Sequence, residues 1–205
     1  MPVTSRRSQP ERSATTRSAL VTAARPLFAA HGFAAVGTEA IAAAAGVSRG
    51  ALYHQFADKT ELFAAVVDAV EADVARRLAE SVGAAANGEP GDPVAAMRIA
   101  ARAWLQACAE PEVHRIALVD GPSVLGWARW RTLCQGHVFG LVQQLLANAI
   151  HAGLVRSHAV VPLAHVFMGA SDEAALYVAG APDPDAARAE MIDALELLID
   201  GLVAR

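Results

Sequence analysis

Apolar residues recur along most of the chain at intervals of three and four positions, the spacing that places side chains on one face of an α-helix. The clearest run begins at Phe63 and predicts a single long helix that continues to about Val82. No segment shows the convincing two-residue alternation of a strand, and no internal repeat is present. The pattern therefore predicts an all-α protein, whose long helix is built on Phe63, Val66, Val67, Val70 and Val74.

Breaker residues divide the rest of the chain into further helices. Residues 87–93, with the sequence NGEPGDP, are rich in glycine and proline and predict a loop. The run Asp120-Gly121-Pro122 is expected to end one helix, and Gly153 is expected to end another. The helices predicted between these breaks span residues 94–109, 111–119, 124–152 and 162–179, and a last one follows Asp183-Pro184-Asp185.

The segment from Thr38 to Phe56 has the pattern of two short helices joined by a tight turn. Thr38 is expected to cap the first helix by accepting an amide hydrogen bond with its hydroxyl, and helix-forming residues follow it. Gly46 suits the left-handed conformation that ends a helix, and Ser48 is expected to cap the second helix. A short turn that contains glycine is typical of a helix-turn-helix, whose second helix enters the major groove of DNA.

Residues four apart in the second helix share a face, so Leu52 and Phe56 are expected to face the first helix together. Gly50 should cost about 1 kcal/mol relative to alanine inside a helix. A close approach to a phosphate or a base edge would explain this glycine, and chance is the alternative. The residues expected to face away from the core are Arg49, Gly50, Tyr53 and His54.

Lys59, the only lysine in the chain, falls in the first turn of the following helix. Asp58 is expected to cap that helix, and the side chain of Glu61 to reach back in a capping box. A cation is mildly unfavourable at a helix N-terminus, so Lys59 is expected to find an anion outside the chain, with phosphate as the candidate. A solvated surface lysine is the alternative.

Between Thr16 and Leu62 the chain carries a series of short motifs. They are Leu27-Phe28, His31-Gly32-Phe33, Gly37-Thr38, Ile41-Ala42, Ala45-Gly46-Val47-Ser48, Gly50-Ala51-Leu52-Tyr53, Phe56 and Lys59, with Leu62-Phe63 directly after. Through them this segment, about a quarter of the chain, resembles the DNA-binding domain of the TetR family of bacterial transcription regulators, with an AcrR-like helix-turn-helix. The resemblance implies an N-terminal three-helix helix-turn-helix domain, joined by a long helix to a larger C-terminal helical bundle that dimerises.

The resemblance also implies which residues contact DNA. Thr38 and Lys59 would hold phosphates, and Arg49 would read a base edge. A bidentate arginine on guanine is worth about 1 to 3 kcal/mol of discrimination, whereas phosphate contacts set the register without reading sequence. The full set implied is Thr38, Ser48, Arg49, Gly50, Ala51, Tyr53, His54 and Lys59.

Pro26 departs from the family pattern, because it lies deep in the first predicted helix. A proline there removes a backbone hydrogen bond and crowds the carbonyl of Thr22, at a cost of roughly 3 kcal/mol unless the helix kinks. We therefore expect Pro26 to affect the angle of the first helix.

Charge divides the chain in the same way as the helix pattern. Residues 1–60 hold seven arginines and lysines against three acids, a net charge of +4, and residues 61–205 hold ten against eighteen, a net charge of −8. A basic N-terminal surface on an acidic body suits a protein that binds DNA at one end. We expect a disordered basic arm over residues 1–13, a DNA-binding domain over 14–62, and an effector-binding and dimerisation domain over 63–205.

The last predicted helix carries an apolar seam at steps of four, three and four residues, wide enough for two packing partners. One partner is the core of its own chain. The resemblance implies that the other is the same helix of a second subunit, with the helix over 162–179 completing the interface. A monomer that buries the whole seam is the alternative. The candidate interface residues are Met168, Leu195, Leu198 and Leu202.

A small-molecule effector is expected between the helices of the larger domain, in a pocket that is mostly apolar with a few polar groups. The apolar bias of these helices favours a hydrophobic or aromatic effector over a sugar or a nucleotide. Ordinary core packing is the alternative for these large side chains. The candidate pocket residues are Trp104, His114, Asp120, Trp127, Trp130, Arg131, His137 and His165.

An enzyme is not expected, because the chain lacks a glycine-rich phosphate loop, a nucleophile elbow and paired carboxylates in a polar setting. No cofactor is expected for the same reason. Cys108 and Cys134 are too few for a disulfide framework and form no Cys-x-x-Cys pair, so buried thiols are expected.

A metal site and a membrane location are also not expected. His151, His158 and His165 recur at intervals of seven, but Gly153 and Pro162 interrupt the helix that would align them. Residues 132–155 lack charges, yet polar side chains interrupt them, which indicates a core helix. No apolar stretch follows the first arginines, so we expect no secretory signal and a cytoplasmic protein.

The sequence thus favours a ligand-responsive, homodimeric regulator that binds a palindromic operator on double-stranded DNA. Repression relieved by the effector is the expected mode. An activator, a regulator without an effector, and a helical interaction protein that has lost operator binding are the alternatives.

Overall fold

The computed structural model describes residues 9–85 and 91–204, which are almost entirely α-helical. Over these two ranges no β-strand forms, and the nearest approach to one is an isolated bridge between Val155 and Val203. The all-α prediction is therefore confirmed. The α-helices are α1 (Gln9–Ala35), α2 (Thr38–Ala44), α3 (Arg49–Gln55), α4 (Lys59–Ala85), α5 (Pro93–Cys108), α6 (Pro111–Val113), α7 (Gly121–Leu125), α8 (Trp127–His151), α9 (Val160–Gly180) and α10 (Pro184–Asp200).

Helix α1 is longer than the sequence suggested and bends at a different residue. It already includes residues 9–13, so the expectation of a disordered arm through residue 13 is wrong there, while residues 1–8 lie outside the described part of the chain. The non-helical dihedral angles within α1 fall at Gly32 (φ 75°, ψ 165°) and not at Pro26, and the effect of Pro26 on the angle of the helix stays a prediction. The positive φ of Gly32 favours glycine, because other residues rarely adopt it, whereas the Arg115 guanidinium next to this position belongs to a flexible side chain.

An aromatic cluster joins α1 to α4 in the N-terminal core. The rings of Phe28 and Phe63 meet edge to face with 5.1 Å between centroids, and Phe33 lies at the same distance from Phe63. Such pairs add about 0.5 to 1.5 kcal/mol beyond the burial of their area. Leu20, Ile41, Leu52 and Leu62 are fully buried around them, which fixes α2 and α3 against α1 and α4.

The long helix α4 belongs to both parts of the molecule. It packs against α1 on one side and against α5 and α8 on the other, and its apolar residues are buried as predicted. The predicted long helix is thus confirmed, extending from Lys59 to Ala85. A movement of α4 relative to the bundle would therefore displace the N-terminal helices.

The region after α5 departs most from the sequence-based expectation. Instead of one α-helix over 111–119, the single turn of α6 leads into a π-helical segment, His114–Asp120. The run Asp120-Gly121-Pro122 does not end the helical path, because α7 continues it to Leu125. The chain turns at Gly126, and α8 begins at Trp127 instead of about residue 124.

The remaining predicted breaks are close to the observed ones. Gly153 has a positive φ of 72° just beyond α8, and Asp183 caps α10 by accepting from the backbone N of Ala186. Part of the predicted loop at 87–93 lies outside the described residues. No helix within the two described ranges is both long and apolar enough to cross a bilayer.

Candidate functional site

The turn between α2 and α3 has the geometry that the sequence predicts. Gly46 adopts a positive φ of 67° after α2. The side chain of Ser48 caps α3 by accepting from the backbone N of Ala51 over 3.1 Å. Leu52 and Phe56 are buried against the core, so the opposite face of α3 is directed to solvent.

The exposed face of α3 carries Arg49, Gly50, Tyr53 and His54, as predicted. A Cβ atom built at Gly50 would meet only the Ser48 hydroxyl, at 3.8 Å. The chain itself therefore gives no steric reason for a glycine at this position. The close approach of DNA to Gly50 stays a prediction that this observation leaves open.

Arg49 has a partner that the sequence reasoning missed. Its guanidinium lies 2.6 Å from the Glu39 carboxylate and 5.5 Å from the centroid of the Tyr53 ring. Both charged side chains are largely exposed, so the pair holds Arg49 only weakly. The signal for this contact was an acidic residue in the first turn of the helix before α3.

Thr38 does not cap α2, contrary to expectation. The capping position belongs to Gly37, and no side-chain hydrogen bond is made there. The Thr38 hydroxyl instead lies 3.3 Å from the Tyr53 hydroxyl. This hydrogen bond, together with the nearby Arg49, lowers the pKa of the Tyr53 phenol below its usual value. Thr38 thus fixes the position of Tyr53 on the exposed face.

Lys59 has internal partners, contrary to the expectation that it would need an external anion. Its Nζ donates to the carbonyl oxygens of Phe33 (2.9 Å) and Val36 (3.1 Å), at the end of α1. A cation is favourable near a helix C-terminus, which explains the position. An ammonium group has three donors, so one remains for a phosphate, and that contact stays a prediction.

The expected capping box at the start of α4 is only half formed. Asp58 Oδ1 accepts from the backbone N of Glu61 over 2.8 Å, as predicted. The Glu61 carboxylate, however, does not reach back, because it pairs with both terminal nitrogens of Arg129 at 2.7 and 2.8 Å. The first turn of α4 is therefore tied to α8 of the larger domain.

A largely apolar cavity lies among α4, α5, α8, α9 and α10. It encloses about 660 Å³ between its lining atoms, part of which is open to solvent. Of the residues predicted for a pocket, Trp104 lines it, and its indole N donates to the carbonyl of Ser171 over 3.0 Å. Most of the lining was missed, because apolar core residues carry no signal that separates a cavity wall from ordinary packing. The missed lining residues include Met97, Leu141, Leu145, Phe167, Met168, Ser171 and Asp172.

The other predicted pocket residues have different roles. Arg131 contacts the cavity indirectly through an ion pair with Asp172, and His114 lines a second pocket together with Arg188. Trp127 is 65% exposed, and the indole N of Trp130 donates to the carbonyl of Ala117 over 2.7 Å. Arg131, Trp127 and Trp130 line neither cavity. The same is true of Asp120, which accepts from Phe33, of His137, which pairs with Asp68, and of His165, which contacts Gln135 and Phe139.

Glu71, in the middle of α4, is only 2% exposed. The Cys134 thiol donates to its Oε1 over 3.3 Å, and its Oε2 is buried without a partner among the described residues. Burial therefore raises the pKa of Glu71 to about 7. Burial also raises the pKa of the Cys108 and Cys134 thiols, both of which are free and buried as the sequence predicted.

Two of the residues predicted for a dimer interface are buried inside the protomer instead. Met168 and Leu195 line the cavity and are 5% and 3% exposed, so a partner cannot reach them. Leu202 lies beyond the end of α10 and is partly buried, whereas Leu198 is 51% exposed. The large apolar residues that α9 and α10 leave exposed are Val161, Val166, Leu176, Tyr177, Leu197 and Leu198.

The structure combines a helix-turn-helix with a helical bundle that contains a cavity. The second helix of the helix-turn-helix is capped and presents an arginine, a tyrosine and a histidine. This combination defines a DNA-binding regulator. Residues 20–66 match the family described as bacterial regulatory proteins, tetR family, and residues 94–202 match the tetracyclin repressor-like C-terminal domain. The second match alone covers more than half of the chain. The protein belongs to the TetR family of bacterial transcriptional regulators.

Solved structures of the same family superpose over nearly the whole chain. A TetR-family transcriptional regulator from Pectobacterium atrosepticum is 35% identical, with a TM-score of 0.83 over 97% of this chain and 99% of that one. A putative tetR family regulator from Shewanella sp. PV-4 is 22% identical (TM-score 0.67; 93% and 99% covered). The resorcinol complex of RolR is 17% identical (TM-score 0.73; 96% and 99% covered), which supports the fold alone. None of the curated proteins matches the sequence.

Proposed function

We propose that this regulator is a homodimeric repressor that binds a palindromic operator through α3 and leaves it when an apolar small molecule enters the cavity. The observation that carries the proposal is the position of α4. This helix starts at Lys59, directly after the reading helix, and reaches Leu78, which lines the cavity. One rigid element therefore connects the two candidate sites.

The DNA-binding part is supported by the exposed face of α3 and by charge. The exposure of Arg49 supports a role in reading a base, and the exposure of Tyr53 and His54 supports contacts with the backbone or a thymine methyl. The remaining donor of Lys59 would bind a phosphate. Ser48 and Ala51 lie at the start of the same helix, next to Gly50. The net charge of +4 over residues 1–60 favours this end of the molecule for a polyanion.

The effector part is supported by the cavity. Its walls are mainly Leu, Val, Met, Phe and Trp side chains, and such a surface favours an apolar guest over a sugar or a nucleotide. RolR, which has the same fold, is known in complex with resorcinol, a small aromatic ligand. A guest that binds only one arrangement of α4 shifts the population between two spacings of the reading helices.

The homodimer is supported by the apolar residues that α9 and α10 leave exposed. Leu197, Leu198 and Tyr177 are each at least half exposed, and they lie on two helices that pack against each other. A second copy of α9 and α10 would cover them in a four-helix interface. A regulator of this kind acts where the bacterial chromosome is, in the cytoplasm.

The test is a titration of the full-length protein onto a fluorescent duplex from the region upstream of its own gene. We expect the protein to bind this duplex. A competitor duplex of the same length with a scrambled sequence should not displace it. In a reporter strain, deletion of the regulator should raise expression from the bound promoter. A fall in expression would indicate an activator, and equal affinity for the scrambled duplex would mean that operator binding has been lost.

A further inference from the structure

The cavity among α4, α5, α8, α9 and α10 has one polar corner. Apart from the Trp104 indole, whose N–H is already used by the Ser171 carbonyl, its lining has polar side chains only at Ser171 and Asp172. Both residues lie on α9 and both line the cavity, so its polar lining is confined to one part of that helix. The position and pairing of Asp172 therefore decide which end group a guest can carry.

The Asp172 carboxylate is held from one side only. Its Oδ2 accepts from Nη1 of Arg131, and neither side chain is more than one-fifth exposed. Its Oδ1 and the Ser171 hydroxyl make no hydrogen bond with any residue in the two described ranges. The corner thus offers one acceptor that cannot donate, and one hydroxyl that can do both.

The charges at this corner are already balanced. Asp172 and Arg131 neutralise each other, so an ionic end group of either sign would lose its hydration without gaining an unpaired counter-charge. An anion would also approach the carboxylate of Asp172 directly, and a cation would approach the guanidinium of Arg131. Burial raises the pKa of Asp172, and the ion pair with Arg131 opposes that rise.

We propose that the effector is a neutral, largely apolar molecule with a terminal hydroxyl group, an alcohol or a phenol. Its hydroxyl donates to Oδ1 of Asp172 and accepts from the Ser171 hydroxyl, while its carbon skeleton packs against Trp104 and the apolar walls. This inference rests on the proposed function, because it names the class of molecule that the effector cavity takes.

The test is calorimetric titration of the full-length protein, without DNA, by four compounds that share one skeleton. The probes are 4-propylphenol, its methyl ether 4-propylanisole, 4-propylbenzoate and 4-propylbenzylamine. Because a hydrogen bond to a charged group is worth about 1.5 to 3 kcal/mol, the phenol should bind at least about tenfold more tightly than the ether. The benzoate and the benzylamine should bind more weakly than the phenol.

Two variants make the assignment specific to Asp172. In Asp172→Asn, Arg131 loses its counter-charge, so we expect the affinity for 4-propylbenzoate to rise about tenfold. The ratio of the affinities for the phenol and the ether should become smaller. Glu173→Gln, the matched control, removes the same charge from an exposed neighbouring position and should leave the order of affinities unchanged.

Equal affinity for the phenol and the ether would overturn the inference, as would tighter binding of the benzoate or the benzylamine to the unmodified protein. Absence of binding by all four compounds up to about 1 mM would also overturn it. Operator binding is measured separately, so failure here with an intact operator complex would leave the DNA-binding role standing. If the protein bound the four compounds as expected but did not bind the operator, the effector class would stand and the DNA-binding role would be wrong.

Discussion

The backbone N of Phe33, near the end of α1, donates to Oδ2 of Asp120 over 2.7 Å. This hydrogen bond joins the DNA-binding part to the π-helical segment of the larger domain. The same segment receives the indole N–H of Trp130 at Ala117, and the next residue, Arg131, is the partner of Asp172 in the cavity wall. A continuous set of contacts therefore connects the cavity to α1.

Substituting Asp120 should weaken this connection. In Asp120→Ala the N–H of Phe33 loses a charged acceptor, so the free energy of unfolding should fall by about 1 to 3 kcal/mol. Operator affinity should then respond less to the effector, because the cavity and α1 are no longer joined at this point. Denaturant unfolding and operator titration with and without effector measure the two effects.

Asp193→Ala serves as the control for Asp120, since it removes an exposed carboxylate on α10 that makes no ion pair within the described part of the chain. It should change neither stability nor response. An Asp120→Ala protein with unchanged stability and full response would contradict the coupling role.

Arg49 is predicted to carry sequence discrimination. Arg49→Ala should relax the preference at one base pair by about 1 to 3 kcal/mol, because the bidentate contact with guanine is lost. The matched variant for comparison is Glu39→Gln, which removes the competing carboxylate 2.6 Å from the Arg49 guanidinium. It should raise the affinity for the operator without changing the preferred base. Competition with a library of single-base operator variants measures both. Retained preference in Arg49→Ala would place base reading elsewhere.

Lys59 is predicted to contact a phosphate with the donor that Phe33 and Val36 leave free. Lys59→Met should lower the affinity for all DNA sequences by the same factor. It should also reduce the slope of log affinity against log salt concentration by about one. It should also lower stability, because two carbonyl oxygens at the end of α1 lose their donor. Arg102→Met, far along α5, controls for net charge. An unchanged salt slope would mean that Lys59 acts only within the protein.

Glu71 is predicted to make stability depend on pH. Its pKa in the folded protein is about 7, against an ordinary value of 4.5, so the folded state binds the proton more tightly than the unfolded state. The stabilising contribution is complete below about pH 4.5 and is lost as the pH rises through 7, on the order of 3 kcal/mol in total. Glu71→Gln should remove this dependence of the free energy of unfolding on pH, as measured by denaturant unfolding between pH 4.5 and 8.

Glu173→Gln, an exposed acid on α9, should keep the wild-type dependence and so controls for the loss of a carboxylate. If Glu71→Gln and the wild type lost stability equally over this range, another group would have to carry the dependence.

The helix-turn-helix could be predicted almost completely from local sequence. The glycine turn at Gly46, the Ser48 cap and the buried pair Leu52 and Phe56 depend on residues within a few positions of one another. The contact of Arg49 with Glu39 was one exception. Thr38 was another. Its hydroxyl meets Tyr53, fifteen residues away, and a contact between two helices is not encoded in the propensity of either.

The cavity and the links between domains could not be predicted in this way. Trp104 was found because it is large, but Ser171 and Asp172 lie in an apolar helix where nothing local separates a cavity wall from a packed core. Met168 and Leu195 have the same spacing whether they face a second subunit or their own core. Helical periodicity gives the direction of a side chain, not the identity of the surface it meets.

By itself, the sequence determined most of the helices, the orientation of α3 and the family, because these depend on spacing and on short motifs. Only the tertiary structure decided that Lys59 binds the end of α1, that Asp120 holds Phe33, and that Asp172 pairs with Arg131. Each of these contacts joins residues more than twenty positions apart. Such partners are chosen by the packing of whole helices, which no local pattern specifies.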